Sequence, residues 1–335
     1  MPGTLLDPDA HAAAGHRQRL ELSLTGELNE LLTSLPGDTA PHDPLASSCP
    51  SADEGPLYPG LYSAYHSLRK QDAKEAGALW FATLRQEAAY RTRRRDGLAR
   101  TGESDYAARC VRRALSQAPP EMDRSTVTSH LTDWSPPQRA LLDRALALLD
   151  AAWPQAYTEV VTAVAEVSLL GGHGLIGFTD FVAHGAVFIS DFQLTPRDGV
   201  SAEHLLAESL LHEATHTVCN ASATTEPLIR SPRGGEAPRV STPLRSDPRP
   251  LAGLTQQLVV LTRCAELYAR AGVEGSDGAG LARRAQLLAG QAAAAGTTLR
   301  KFEKHLTEAG VRLVDEAERR RQEATAGVGS VPPSA

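Results

Sequence analysis

The pentapeptide His212-Glu213-Ala214-Thr215-His216 places two imidazoles four residues apart. On an α-helix such residues project from one face about a turn apart, so both rings can reach one divalent cation. Glu213 lies roughly 100° around the helix from His212. It is badly placed to join both histidines as a third ligand and well placed beside a metal-bound water or a substrate, which makes it the candidate catalytic acid or base. In a chain of 335 residues with 11 histidines, chance yields such a pentapeptide only roughly 0.02 times. Leu206, Leu210, Leu211, Ala214 and Val218 supply the apolar faces that allow this helix to be buried.

A third protein donor is expected from the acids that follow. The helix TQQLVVLTRCAELYAR offers Glu266 among apolar residues, at a place comparable to the glutamate that thermolysin-like proteases take from the next helix. The loop acids Glu226, Glu236 and Asp247 are the alternatives. A metzincin pattern is excluded, because the continuation HTVCNASATT has neither the glycine nor the third histidine of HExxHxxGxxH. Arg249 and Arg245, in PLRSDPRP, are able to offer a bidentate fork to a carboxylate near the metal, although a solvated arginine-rich loop explains them equally well. No Ser, Thr or Cys nucleophile arrangement and no phosphate-binding glycine loop is recognisable.

Several elements must position these groups. Leucines at helical spacing over residues 17–33 predict a helix, followed to about Pro59 by a Pro, Ser, Asp and Gly-rich connection with a loop or disordered segment near 34–58. Residues 61–118 read as packed helices, and the run Arg91–Asp96 within them reads as a solvated helix face rather than an anion site. Ser135-Pro136-Pro137 starts a helix that ends before Pro154, and QAYTEVVTAVAEV supplies its antiparallel partner. VSLL, LIGFTDF and GAVFIS then mark a small sheet, with GAVFIS expected at the edge that would pair with an extended peptide. Ser201 caps a helix over about Ala202–Cys219 without a full capping box, since His204 stands three residues on. Residues 222–248 are expected to be irregular, Leu251–Ala271 helical, and the remainder to about Glu323 one or two long helices before a disordered tail. The expected class is α+β, mostly helical, with a zincin-like small sheet. Its divisions are a helical region over 1–134, a metal-binding core over 135–275, C-terminal helices over 276–324 and a tail over 325–335.

Composition narrows the function. A formal charge of −6 argues against a general nucleic-acid binder or an anionic-membrane binder. Cys49, Cys110, Cys219 and Cys264 form no CxxC pair, so neither a disulfide framework nor a zinc ribbon is indicated. No run approaches the roughly 20 apolar residues of a membrane span, and the amino terminus has no secretory pattern, so a cytoplasmic location is expected.

The blocks AAWPQAYTEVVTAV, HGAVFIS, AESLLHEATH and TPLRSDPRPLAGLTQQLVVLTRCAELY, in this order over roughly residues 140–270, resemble those of the HEXXH-motif peptide-modification proteins. The resemblance implies iron(II)- and 2-oxoglutarate-dependent β-hydroxylation of a ribosomally made precursor peptide. It implies that His212 and His216 bind iron with Glu266 as the carboxylate, and that Arg249, with Arg245 second, receives the distal carboxylate of the cosubstrate. Family members usually carry aromatics after the DPRPxxGL block, where this chain has Gln257, Leu258 and Val259, so a different pocket shape is expected. Two other readings stand beside this one: a zinc peptidase with Glu213 as general base, and a peptide-binding protein without catalysis.

Overall fold

The computed structural model describes residues 4–33, 56–69, 97–117 without Thr101 and Glu103, 126–231, 238–272 and 278–328, and scattered positions between 83 and 94. Residues 34–55 of the loop or disordered segment expected near 34–58, and 329–335 of the tail expected over 325–335, lie outside those residues, as do Glu236, Thr92, Arg95 and Asp96, whereas residues 325–328 of that expected tail are helical. Helices dominate: α1 (Ala10–Thr33), α2 (Pro59–Leu68), α3 (Asp105–Ser116), α4 (Pro136–Ala152), α5 (Pro154–Ala163), α6 (Ala202–Ser222), α7 (Leu251–Ala271), α8 (Gly278–Lys301) and α9 (Glu308–Val328). A four-stranded mixed sheet joins β1 (His130–Thr132), β2 (Glu166–Gly171), β3 (Gly177–Thr179) and β4 (Ala186–Ser190) in the order β1-β2-β4-β3. A hairpin of β5 (Arg239–Thr242) and β6 (Arg245–Pro250) precedes α7. Among the described residues no helix is long and apolar enough to cross a membrane.

Local sequence explains the element starts. At α4, Ser135 and Pro136 open the helix, and the Gln138 Oε1 accepts from the Ser135 backbone N–H at 2.8 Å, which satisfies a donor the first turn would otherwise leave free. Trp153 separates α4 from α5, whose first residue is Pro154. At α6 the Ser201 hydroxyl lies 2.8 Å from His204 Nδ1, so the histidine closes the cap where a capping box would place Glu or Gln.

β2 and β4 are parallel neighbours with every residue buried, as strands covered on both faces must be. On one face Val167, Leu169, Val187 and Ile189 pack with Leu206, Leu210, Leu211 and Ala214 of α6 and with Trp134, Leu142 and Leu149. On the other, Leu170, Ala186 and Phe188 meet Leu24, Leu28, Tyr58, Leu61 and Tyr106 of the N-terminal helices. A third cluster joins α7, α8 and α9 through residues such as Leu254, Leu258, Leu281, Leu288 and Leu313.

Four expectations change. GAVFIS is β4, an internal strand; the edge is β3, antiparallel to it. Residues 222–248 contain β5 and the start of β6 rather than irregular chain throughout. The boundary at 134 is crossed by the sheet itself, because β1 pairs with β2 and Ala99 bridges Val167. Gln257, Leu258 and Val259 are buried, and Leu258 and Val259 sit in the cluster with α8, so this departure from the family pattern falls largely in a helical core. Within the Arg91–Asp96 run, Arg94 donates to the Val161 and Val164 carbonyls at 2.9 and 3.2 Å, closing the end of α5.

α5, α6, α7 and the N-terminal segment meet at one buried ion pair. The Arg263 guanidinium is fully buried, donates to both Glu159 oxygens and also reaches Thr215 Oγ1 and the Asp7 carbonyl, each at 3.3 Å. Glu159 Oε2 accepts in addition from the Asp9 N–H at 2.8 Å. Removing one member leaves a buried charge without its partner. Arg263→Leu is expected to lower the unfolding free energy by roughly 3–5 kcal/mol, measured by urea denaturation, with the loss largely recovered in Arg263→Leu/Glu159→Leu.

Candidate functional site

α6 runs beneath the sheet with nearly all its residues buried, so each polar side chain on it must find a partner or face a cavity. His212 and His216 do lie on one side of it, with ring centroids 5.1 Å apart and planes inclined by 61°. Both residues are partly exposed. His216 Nδ1 lies 2.9 Å from Gln256 Oε1 on α7, and Gln256 Nε2 donates at 2.9 Å to Asn220 Oδ1, one turn further along α6.

Burial, then the neighbouring His216, then the charge of Arg284 push the His212 pKa down to about 3. Burial lowers that of His216 as well, opposed by its hydrogen bond to Gln256. Both rings are therefore neutral at physiological pH, the form in which an imidazole nitrogen donates to a metal.

Glu213 turns away from the pair toward β3, 6% exposed, and among the described residues its Oε2 has no hydrogen-bond partner. Burial raises its pKa to about 8. A β-carbon at Gly177 would stand 3.0 Å from Glu213 Oε1, so glycine in the edge strand admits the carboxyl beneath it.

One turn before His212, Glu208 accepts from Arg284 Nε and Nη2 at 2.9 and 2.5 Å, and from the Tyr268 hydroxyl at 2.6 Å. Glu208, His212 and His216 form one stripe at i, i+4 and i+8, and this fork holds its acidic end.

The expected third donor does not arrive. Glu266 pairs with Arg270 at 2.5 Å and Arg320 at 3.5 Å, beside Trp153, on which Arg270 stacks. The α7 residue that meets His216 is Gln256, ten positions earlier and so about 15 Å away along the helix axis. Glu226 pairs with Arg312, and Asp247 with Arg249 Nε at 2.9 Å. Arg249 thus stands near the end of β6, just before α7, and shares its charge with Asp247; Arg245 opens the same strand, and its side chain lies outside the described residues. Among the described residues, no group of three or more His, Cys, Asp and Glu is placed to hold a metal ion.

Sequence reasoning missed Gln256, Asn220, Glu208, Tyr268 and Arg284. Glu208 was accessible, since it repeats the four-residue spacing of the histidines. The other four depend on how α7 and α8 cross α6. The imidazole pair fits a divalent cation as two donors, and on the same helix the buried Glu213 Oε2 has no hydrogen-bond partner among the described residues. No family model matches the sequence, and no curated protein matches it.

The Glu213 shift has a definite sign. A carboxyl with a raised folded pKa is accommodated at no ionisation cost below its unfolded value near 4.5, and that stability is lost as pH rises toward about 8. In chelator-treated protein, Glu213→Gln is expected to match wild type near pH 4 and to exceed it by a growing margin up to about pH 8, with a plateau beyond, as read from urea midpoints at each pH.

Proposed function

We propose that this chain is a metal-dependent enzyme acting on a peptide, with His212 and His216 holding iron(II) on a zincin-like core, and that its reaction is 2-oxoglutarate-dependent β-hydroxylation of a precursor peptide. The observation that carries the metal part is the pair of neutral imidazoles on one side of α6, 5.1 Å apart; the peptide part is supported by the Glu213 carboxyl of the same helix lying under Gly177 of the edge strand β3. The choice of oxidation over hydrolysis rests on the resemblance of the four sequence blocks.

Among the described residues β3 has no strand partner on one side of its backbone, and Ile176 and Phe181 beside it are 59% and 60% exposed. An extended peptide adds to such an edge through main-chain hydrogen bonds and covers the apolar side chains. A peptide added along β3 runs past Gly177, which lies over the Glu213 carboxyl of the helix that carries both imidazoles. Iron and 2-oxoglutarate, when bound, supply the oxidising power. The chain's own work is to orient the peptide along β3, to exclude water with the apolar surface, and to hold a proton at Glu213 Oε2 near neutral pH. Two protein donors leave more coordination positions to cosubstrate and water than a two-histidine, one-carboxylate set does, and Glu266 is not carried forward as a ligand. Arg249 remains the candidate for the distal cosubstrate carboxylate, with Asp247 as the competitor it must leave, and Arg245 is the alternative.

A zinc peptidase is the second reading, favoured by Glu213 itself, a buried carboxyl beneath the edge strand whose Oε2 has no hydrogen-bond partner among the described residues. Aerobic incubation with iron(II), 2-oxoglutarate and candidate precursor peptides separates the two. Hydroxylation predicts succinate and a peptide heavier by one oxygen atom, both abolished by His212→Ala and by exclusion of oxygen. Cleavage that persists without oxygen and disappears in Glu213→Gln supports the peptidase. Protein that binds peptide but no metal, with unchanged peptide affinity in His212→Ala, overturns both in favour of a non-catalytic binder.

A further inference from the structure

Gln256 and Asn220 are partly buried; Gln256 meets the His216 imidazole, and Asn220 meets Gln256. Their geometry is directional. Asn220 Oδ1 accepts from Gln256 Nε2 at 2.9 Å, which turns the other end of the same amide, Oε1, toward His216 Nδ1 at 2.9 Å. An amide oxygen can only accept, so the ring nitrogen facing it must carry the proton. The lone pair of a neutral His216 is then on Nε2, the nitrogen away from α7.

We infer that Gln256, held by Asn220, is a positioning residue that locks His216 in the Nδ1–H form and so presents Nε2 as a metal donor. The inference rests on the metal-binding reading of His212 and His216. Ligating histidines ordinarily give their second N–H to a carboxylate or a carbonyl, which fixes the tautomer and the ring orientation. Here a neutral amide takes that place.

The arrangement also joins two helices that carry different parts of the site. Asn220 lies one turn beyond His216 on α6, and Gln256 lies in the second turn of α7, six residues after the β5–β6 hairpin ends at Pro250. A shift of α7 along α6 by one residue, about 1.5 Å, would break both hydrogen bonds together. The setting of His216 is therefore tied to the seating of the hairpin that bears Arg249.

Two measurements test this. In metal-free protein labelled with ¹⁵N-histidine, long-range ¹H–¹⁵N correlation spectra, assigned with His216→Ala, are expected to show His216 protonated at Nδ1 in the wild type and a shift toward Nε2–H in Gln256→Leu. Zinc(II) titration against a competing chelator is expected to show roughly 10–100-fold weaker binding in Gln256→Leu, a smaller loss in Asn220→Ala, and recovery in Gln256→Glu, which keeps an acceptor. Thermal unfolding of the metal-free variants serves as the folding control, and Asn220→Ala keeps the test alive should Gln256→Leu not fold. A wild-type His216 protonated at Nε2, or equal zinc affinity in wild type and Gln256→Leu, overturns the inference. Nδ1–H in a wild type that binds no zinc supports the Gln256 lock and overturns the metal reading instead.

Discussion

Burial of most of α6, with His204, His212, His216 and Asn220 left partly exposed along one stripe, is the constraint to which the rest of the structure answers. A helix packed against a sheet on one side and a second helix on another cannot leave its polar side chains to water, so each must be met by a specific neighbour. Glu208 is met by Arg284 and Tyr268, Thr215 by Arg263, and His216 and Asn220 by Gln256. Ser209 and Thr217 turn back to carbonyls of their own helix. Glu213 Oε2 has no such neighbour among the described residues, and it is the group nearest the open edge strand. It is the buried polar side-chain atom of α6 that lacks a partner among the described residues, which is why it calls for an explanation beyond packing.

The same burial sets the electrostatics. Two imidazoles close together in a low-dielectric environment disfavour each other's charged form, and Arg284 adds to that at His212. The Glu213 carboxyl of the same helix, facing β3, is pushed the opposite way by its own desolvation. Near neutral pH the helix thus carries two neutral rings and a protonated acid. Arg284, forked by Glu208 in a bidentate pair, contributes positive potential without being free to leave.

Architecture and chemistry are coupled through α7. It carries Gln256 at one end and Arg263, Cys264 and Tyr268 toward the other, so one helix packs against α6 along most of its length. Arg263 anchors it to Glu159 and, through that carboxylate, to the N-terminal segment that precedes α1. The hairpin that leads into α7 is thereby referenced to the histidine pair through a chain of buried polar contacts.

Much of this was legible in the residues. The four-residue spacing of His212 and His216 determined that the rings share a face of a helix, because the helical period leaves no alternative once Leu206, Leu210 and Leu211 bury it. The start of α4 at Ser135, the break at Pro154 and the β-rich run before α6 were legible for the same kind of local reason, turn and cap chemistry acting over a few residues. What meets those rings was not. Glu266 and Gln256 share a helix whose apolar content announces burial without saying which stripe faces α6, and a shift of ten positions exchanges a carboxylate for an amide. GAVFIS and LIGFTDF both read as strands, and only the order in which they pair makes the second the edge. Local sequence decides which residues can be neighbours along one element, whereas the crossing of two elements is decided by the packing of every side chain between them, and the tertiary structure alone expresses that.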